Sequence, residues 1–485
     1  MPRSCCLCWL ALILFALLPA LAIAAPASLT PEQAMRELRI LKRAFVDLHP
    51  GLYRYQSPAE LDAAFASAQA QVAGGSDALR MYLIATRLAA SIRCGHTWTN
   101  PLNQGASMQD ALAQLSALPV RIRLLEGRLR VSASADPKLA PGDEILGIDG
   151  RTPAQLVREW LPYLRADGSS DGKRLSQIDS TVDGGAMDRL LPLLRAPVEG
   201  RYAIRIRRAG ARPAIVSVAG MPVAQRERTL AAAGVPVENE AWRFVIEGDV
   251  ATLTLPTFSF WRSDFDWKAF LQDSFDTLAA RKVPALVIDL RQNEGGDDQI
   301  GRTLLAYLIG HPYRVPAGRV ESAYERVPYD LARYLDTWDY GFFDRTGKVV
   351  RGTGRNWLLK EQPADRTVVP ASRTYAGKVV ALVGPRMSSA GFLVARDLQR
   401  SGAAPLVGQP TGGNLRGLNG GELAWVTLPY SGVAVDIPLI ASFTRAPEPD
   451  RGIRPDLAVH IRLQDAARGV DTERVAALRW LRSRR

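Results

Sequence analysis

The stretch Tyr375-Ala-Gly-Lys-Val-Val-Ala-Leu-Val-Gly-Pro-Arg-Met-Ser-Ser-Ala-Gly-Phe-Leu-Val-Ala-Arg-Asp-Leu398 decides how the chain is read. Val379 to Val383 is a continuous apolar run between Gly377 and Gly384-Pro385, the pattern of a strand buried on both faces. Ala390, Leu393, Val394 and Leu398 then fall at helical spacing, and Gly402 ends the run. Ser388 and Ser389 therefore stand between a buried strand and a helix N-terminus. A serine there can cap free backbone N–H groups. It can also be a nucleophile whose developing oxyanion those N–H groups and the helix dipole would hold. Locally, both roles are open.

A chain of 485 residues with 47% apolar content has material for two or three packed domains. Arg3, the apolar run Leu10–Leu21 and Ala22-Ile23-Ala24 form a secretory signal, so the mature chain is expected to start near Ala25 and to act as an exported, periplasmic or secreted protein. No later stretch has the roughly 20 apolar residues a membrane span needs. Of the four cysteines only Cys94 lies beyond the signal, which excludes a disulfide framework. The formal net charge of +12 is spread along the chain without a basic run, so a nucleic-acid partner is not expected.

Segments of different character follow one another. Thr30-Pro31-Glu32, Ser57-Pro58 and Ser76-Asp77 each open a helix in a helical N-terminal region, 25–115. Residues 116–225 alternate like half-buried strands at Val120–Leu124, Arg128–Val131, Tyr202–Arg207 and Ala214–Val218, and the polar segment Arg165–Lys173 interrupts them. From 240 to 470 buried strands alternate with helices: Val250–Leu255, Ala285–Leu290 and Ala404–Val407 are strands beside the run at Val379, and Glu422–Leu428 pairs with Val433–Ile437. Residues 320–370 are aromatic with little periodicity, as in a substrate-facing cap or a surface excursion. Residues 471–485 close with a helix. The fold class is thus α+β multidomain.

Two loops follow buried strands and lead into helices: Asn293-Glu294-Gly295-Gly296 and Met387-Ser388-Ser389-Ala390. Such loops meet at one sheet edge in strand-helix-strand topology. The N–H of Gly295 or Gly296 and that of Ala390 can then supply the two donors an oxyanion hole needs. No metal-ligand or phosphate-loop motif is present, so no cofactor is expected.

Asp289-Leu-Arg-x-Asn-x-Gly-Gly296, then Ser388-Ser389-Ala390-Gly391, then Gly408-x-x-Thr411-Gly412-Gly413 resembles, in that order, the C-terminal-processing (tail-specific) and tricorn-core serine peptidases. Pro141-Gly-Asp-Glu-Ile-Leu-Gly-Ile-Asp-Gly150 is similar to the PDZ peptide-binding module. The resemblance implies a PDZ-like module with a helical insertion at 116–225, a crotonase-like α/β peptidase core, a polypeptide substrate that the PDZ-like module engages, and Ser389 as nucleophile, with Ser388 as the neighbouring candidate. The tail-specific branch carries a Lys just after the Thr-x-Gly element. Here Asn414 stands there, and Arg416 stays protonated and cannot be a base. The tricorn-like Ser-His branch uses a His in a Gly-His-Thr element, which among the four histidines picks out His96, although Gly95 replaces the Ser that branch has before it. The family acid aligns at Pro449, leaving Glu448 or Asp450 to orient the imidazole. A catalytically inactive relative that binds peptides or an apolar ligand, and a PDZ-type envelope adaptor, are the alternatives.

Overall fold

The computed structural model describes residues 28–483 apart from 182–183, 237–240, 353, 365, 463 and 466–467, so the signal segment lies outside the described residues. Three N-terminal helices, Pro31–Leu48, Pro58–Gln71 and Ala78–Ser91, start where the sequence places them. Thr30 with Gln33 and Ser57 with Glu60 form capping boxes, and Asp77 accepts from Arg80 N–H at 2.8 Å. Their apolar faces do not close on themselves. Leu38, Leu41, Phe45 and Leu88 share one core with Ala424, Val426, Val435 and Ile437 of the hairpin Leu423–Thr427/Ala434–Pro438, and with Tyr324, Val327 and Leu331. Trp98 pairs with Asp436 across this junction. The N-terminal region, with the turn that carries His96, is thereby tied to the C-terminal half.

A five-stranded antiparallel sheet follows, its strands in chain order: Val120–Leu125, Arg128–Ser134, Glu144–Ile148, Arg201–Arg207 and Ala214–Ala219. Helices Pro153–Trp160, Asp171–Ser176 and Ala186–Leu194 are inserted between the third and fourth strands. Arg226 anchors this sheet. Fully buried, it pairs with the equally buried Asp188 at 2.7 Å and donates to the carbonyls of Leu118 and Val120. Removing one partner of such a pair leaves an uncompensated charge inside. Asp188→Ala is therefore expected to cost about 3–5 kcal/mol, read as a lower melting temperature and an earlier denaturant transition.

The C-terminal half is built on a six-stranded sheet in the order Leu457–Ala458, Leu406–Gly408, Lys378–Val383, Ala285–Asp289, Val250–Thr254, Arg243–Glu247. All neighbours are parallel except the last pair. Helices Trp267–Ala280, Asp298–Ala306 and Ser389–Arg400 cover one face, and Thr472–Ser483 covers the other. The run Val379–Val383 is accordingly apolar at every position. Register aligns Asp289 with Leu382 and Val383 with Gly408, so the loops after these strands leave the sheet at one edge.

Residues 320–370 are more ordered than their composition suggests. Arg319–Ser322, Val349–Arg351 and Trp357–Leu359 join Ile440–Phe443 in a four-stranded sheet. Strands of three or four residues are too short to show a period. Arg355 donates to the carbonyls of His49 and Val46, and Asn356 to that of Pro50 at 2.9 Å, binding this segment to the helical region.

Candidate active site

The three loops at the sheet edge pack on one another through backbone. Buried Asn293 is the hub. Its amide donates to Leu255 O and its Oδ1 accepts from Gly295 N–H, both at 2.9 Å, while its carbonyl accepts from Ser388 N–H at 3.3 Å. Gly295 has φ +110°, and a Cβ there would lie 2.6 Å from Ser389 Cβ and 2.9 Å from Ala390 N. Only glycine permits that approach. In the third loop Gly412 and Gly413 both donate to Met387 O, at 2.8 and 2.9 Å, and Thr411 bonds Ile453 in both directions.

Ser388 and Ser389 differ sharply. Ser388 is extended and makes no side-chain cap; its hydroxyl donates to Glu294 O at 3.3 Å and receives Lys173 Nζ at 3.4 Å. Ser389 opens the helix with φ +50°, a left-handed conformation that costs a serine energy and that clusters at functional sites. The first helical hydrogen bond runs from Phe392 N–H to Ser388 O, so the N–H groups of Ala390 and Gly391 have no intrahelical acceptor. Gly296 N–H likewise has no partner among the described residues, whereas Gly295 N–H is held by Asn293. Of the two glycines, Gly296 has the free donor.

His96 lies in the turn after the third helix, its ring against Gly420, whose Cβ, if it had one, would stand 3.2 Å from Nε2. Burial lowers its pKa, with Arg165 and Lys173 acting in the same direction and Asp167 opposing them. The ring is therefore neutral at pH 7. Among the described residues no hydrogen bond joins His96 to either serine. Ionic contacts connect the two loops instead. Arg165 lies on the Trp98 ring (3.7 Å to its centre), donates to Gly95 O, and pairs with Glu294 at 3.2 Å. Lys173 pairs with the same carboxylate at 2.9 Å and donates to Arg386 O at 2.8 Å. Burial alone would raise the Glu294 pKa, but Lys173, Arg165 and Arg386 outweigh it and hold the carboxyl down to about 2. Burial pulls the Lys173 ammonium down to about 8, with Glu294 the main opposing influence.

The acids expected beside the imidazole have other partners. Glu448 pairs with Arg400 at 3.1 Å. Asp450 accepts from Ser169 N–H at 2.9 Å, Ser169 Oγ at 3.0 Å and Asn414 Nδ2 at 2.7 Å. The carboxylate next to His96 is that of Asp167: its oxygen, a ring nitrogen of His96 and Cys94 Sγ lie within 4.8 Å of one another. Asp167 is 2% exposed; Oδ1 accepts from Gly95 N–H at 2.8 Å, while Oδ2 and His96 Nδ1 are both buried without a partner. Asn414 also donates to Asp167 O at 3.2 Å, so Asp450 braces the loop that carries Asp167. Sequence reasoning passed over Asp167 and Lys173. Their signal was the polar run Arg165–Lys173, with two glycines and four charged side chains inside an apolar, alternating module.

A left-handed serine thus opens a helix without a side-chain cap, in a chain folded around a doubly covered parallel sheet. Residues 249–459 match the model of Peptidase family S41, which supports a serine-type peptidase. No curated protein sequence matches it. Among solved structures the chain is similar to mature CPAF in complex with lactacystin, at 16% identity and a TM-score of 0.62 over 92% of this chain and 97% of that one. Mature CPAF alone gives 16% identity and a TM-score of 0.58 over 90% and 94% of the two chains. The photosystem II D1 C-terminal processing protease gives 15% identity and a TM-score of 0.38 over 91% and 98%. At such identities the likeness to CPAF concerns the fold, which it matches along nearly the whole length. No helix among the described residues is long and apolar enough to cross a membrane.

Proposed function

We propose that this chain is an exported endopeptidase of the Ser-His type. Ser389 is the nucleophile, His96 the general base and Asp167 the group that orients the imidazole and stabilises its cation. The observation that supports this reading is the φ of +50° at Ser389, the first residue of a helix without a side-chain cap, whose Cβ lies against Gly295. His96 takes the hydroxyl proton as Ser389 Oγ attacks a peptide carbonyl. The N–H groups of Ala390 and Gly296 receive the oxyanion, the protonated imidazole passes its proton to the leaving amine, and water then hydrolyses the acyl-enzyme. Asp450 positions Asp167 through Asn414. Export rests on the signal segment. The five-stranded module acts as a PDZ-like platform for an extended polypeptide, which its last strand, Ala214–Ala219, takes by edge addition.

Hydrolysis of a quenched fluorescent casein by the purified chain tests this reading. The pH profile tests the base. Protonating His96 removes activity, and burial places its folded pKa below 6.5. The acid limb of kcat/KM is therefore expected to have its midpoint below 6.5; a midpoint well above that value would count against His96 as a buried neutral base.

A further inference from the structure

One feature of the site is not used by peptide hydrolysis. Cys94, the one cysteine among the described residues, is buried two positions from His96, and its sulfur shares the 4.8 Å cluster with a His96 nitrogen and an Asp167 oxygen. Two polar atoms there have no partner although they are buried: His96 Nδ1 and Asp167 Oδ2. Asn419, fully buried, adjoins Cys94 and meets its thiol through the side-chain amide. Unpartnered buried polar atoms are costly and uncommon, and two of them on neighbouring residues beside a cysteine mark a place where something else binds. A thiolate, an imidazole and a carboxylate are a donor set for zinc, with the Asn419 amide oxygen or a water as fourth ligand.

We propose that Cys94, His96 and Asp167 form an inhibitory Zn²⁺ site. Binding breaks the Cys94 S–H bond, releases that proton to solvent and forms a sulfur–zinc bond; no oxidant or reductant is involved. The same event occupies the imidazole lone pair needed as base and turns the Asp167 carboxylate from the ring to the metal. Zinc thus holds the peptidase off until a competing chelator removes it. His96, the partly exposed member of the three, gives the ion its way in. The inhibitory consequence rests on the Ser-His reading above, whereas the site itself does not.

Cobalt separates the two. Titrating the full-length chain with Co²⁺ is expected to produce, at one equivalent, the near-ultraviolet thiolate-to-metal charge-transfer band, and the same band in the inactive Ser389→Ala chain. Cys94→Ser should lose it. With casein as substrate, micromolar Zn²⁺ should inhibit the wild type, EDTA should restore activity, and Cys94→Ser should hydrolyse normally while needing at least tenfold more zinc for half inhibition. Absence of the charge-transfer band from the wild type overturns the site, and this measurement needs no variant to fold. Zinc inhibition of Cys94→Ser at wild-type concentrations overturns the part assigned to the thiol. If Ser389→Ala kept its activity, the peptidase reading would fail, while the cobalt band would still report on the metal site.

Discussion

Ser389→Ala is expected to abolish labelling by a serine-directed phosphonate and to lower peptide hydrolysis by about 10⁴-fold or more. The adjacent Ser388→Ala should retain labelling and lose no more than about tenfold, because its hydroxyl makes only long hydrogen bonds and one such bond contributes about 0.5–1.5 kcal/mol. The two serines are chemically identical neighbours, so the contrast isolates geometry. Ser388 is directed at Glu294 O and Lys173, 3.3 and 3.4 Å away. Ser389 sits in a left-handed conformation, its Cβ where a Gly295 side chain would collide, next to the unpaired Ala390 N–H. Backbone strain at one serine is retained only where surrounding structure over-determines it, here through the Asn293 hub. Lys173 is the competitor: fully desolvated and depressed to about 8, it could serve Ser388 as a base. Its short pairing with Glu294, 2.9 Å, keeps the ammonium charged and committed to the carboxylate. Labelling lost in Ser388→Ala and preserved in Ser389→Ala would transfer the nucleophile to Ser388 and the base to Lys173.

The core was legible because parallel strands buried on both faces read as unbroken apolar runs. Val379–Val383 and Ala285–Leu290 needed no context, and the glycine loops that follow them marked the sheet edge. Thr30-Pro31 and Ser57-Pro58 were equally plain, since caps are local chemistry. The shared core of the N-terminal helices and the hairpin at 423–438 was not legible. An apolar helix face shows that it is buried but not against what. The carboxylate that lies beside His96 was not legible for a related reason. Glu448 and Asp450 were reached from where the family acid aligns, whereas Asp167 is delivered by a segment inserted in a different sheet, which docks on the loop at Gly413 and Asn414. Ser170 Oγ donates to Gly413 O at 3.1 Å and Asn414 to Asp167 O at 3.2 Å, contacts between residues some 245 positions apart that carry no local pattern. Asn414 stands where the tail-specific branch carries its lysine, which the sequence reads as a change of base. Its structural counterpart is that this position now holds the Asp167 loop.

Asp167→Asn tests that last step and carries the second large effect. The substitution preserves shape, and its amide oxygen can still accept the Gly95 N–H that Oδ1 takes at 2.8 Å. What it removes is the negative charge near the imidazole, so the developing imidazolium is unsupported. A loss of about 10²–10⁴ in kcat with KM little changed is expected. The sign of the accompanying pH shift follows from the same charge. Asp167 raises the His96 pKa against burial, so its removal lets burial, Arg165 and Lys173 pull that pKa further down. The acid limb of the residual activity should therefore move to lower pH, a readout that loss of folding would not produce. Asp450→Asn is the control. Its carboxylate holds Ser169 and Asn414 rather than His96, so the variant loosens the 167–169 loop without altering the charge at the imidazole. Activity should fall by less than for Asp167→Asn, and the acid limb should stay in place. If instead Asp450→Asn shifted the limb and Asp167→Asn did not, the acid that works on His96 would be Asp450, as the turn before Gly452 suggests, and the Asp167 loop would be scaffolding.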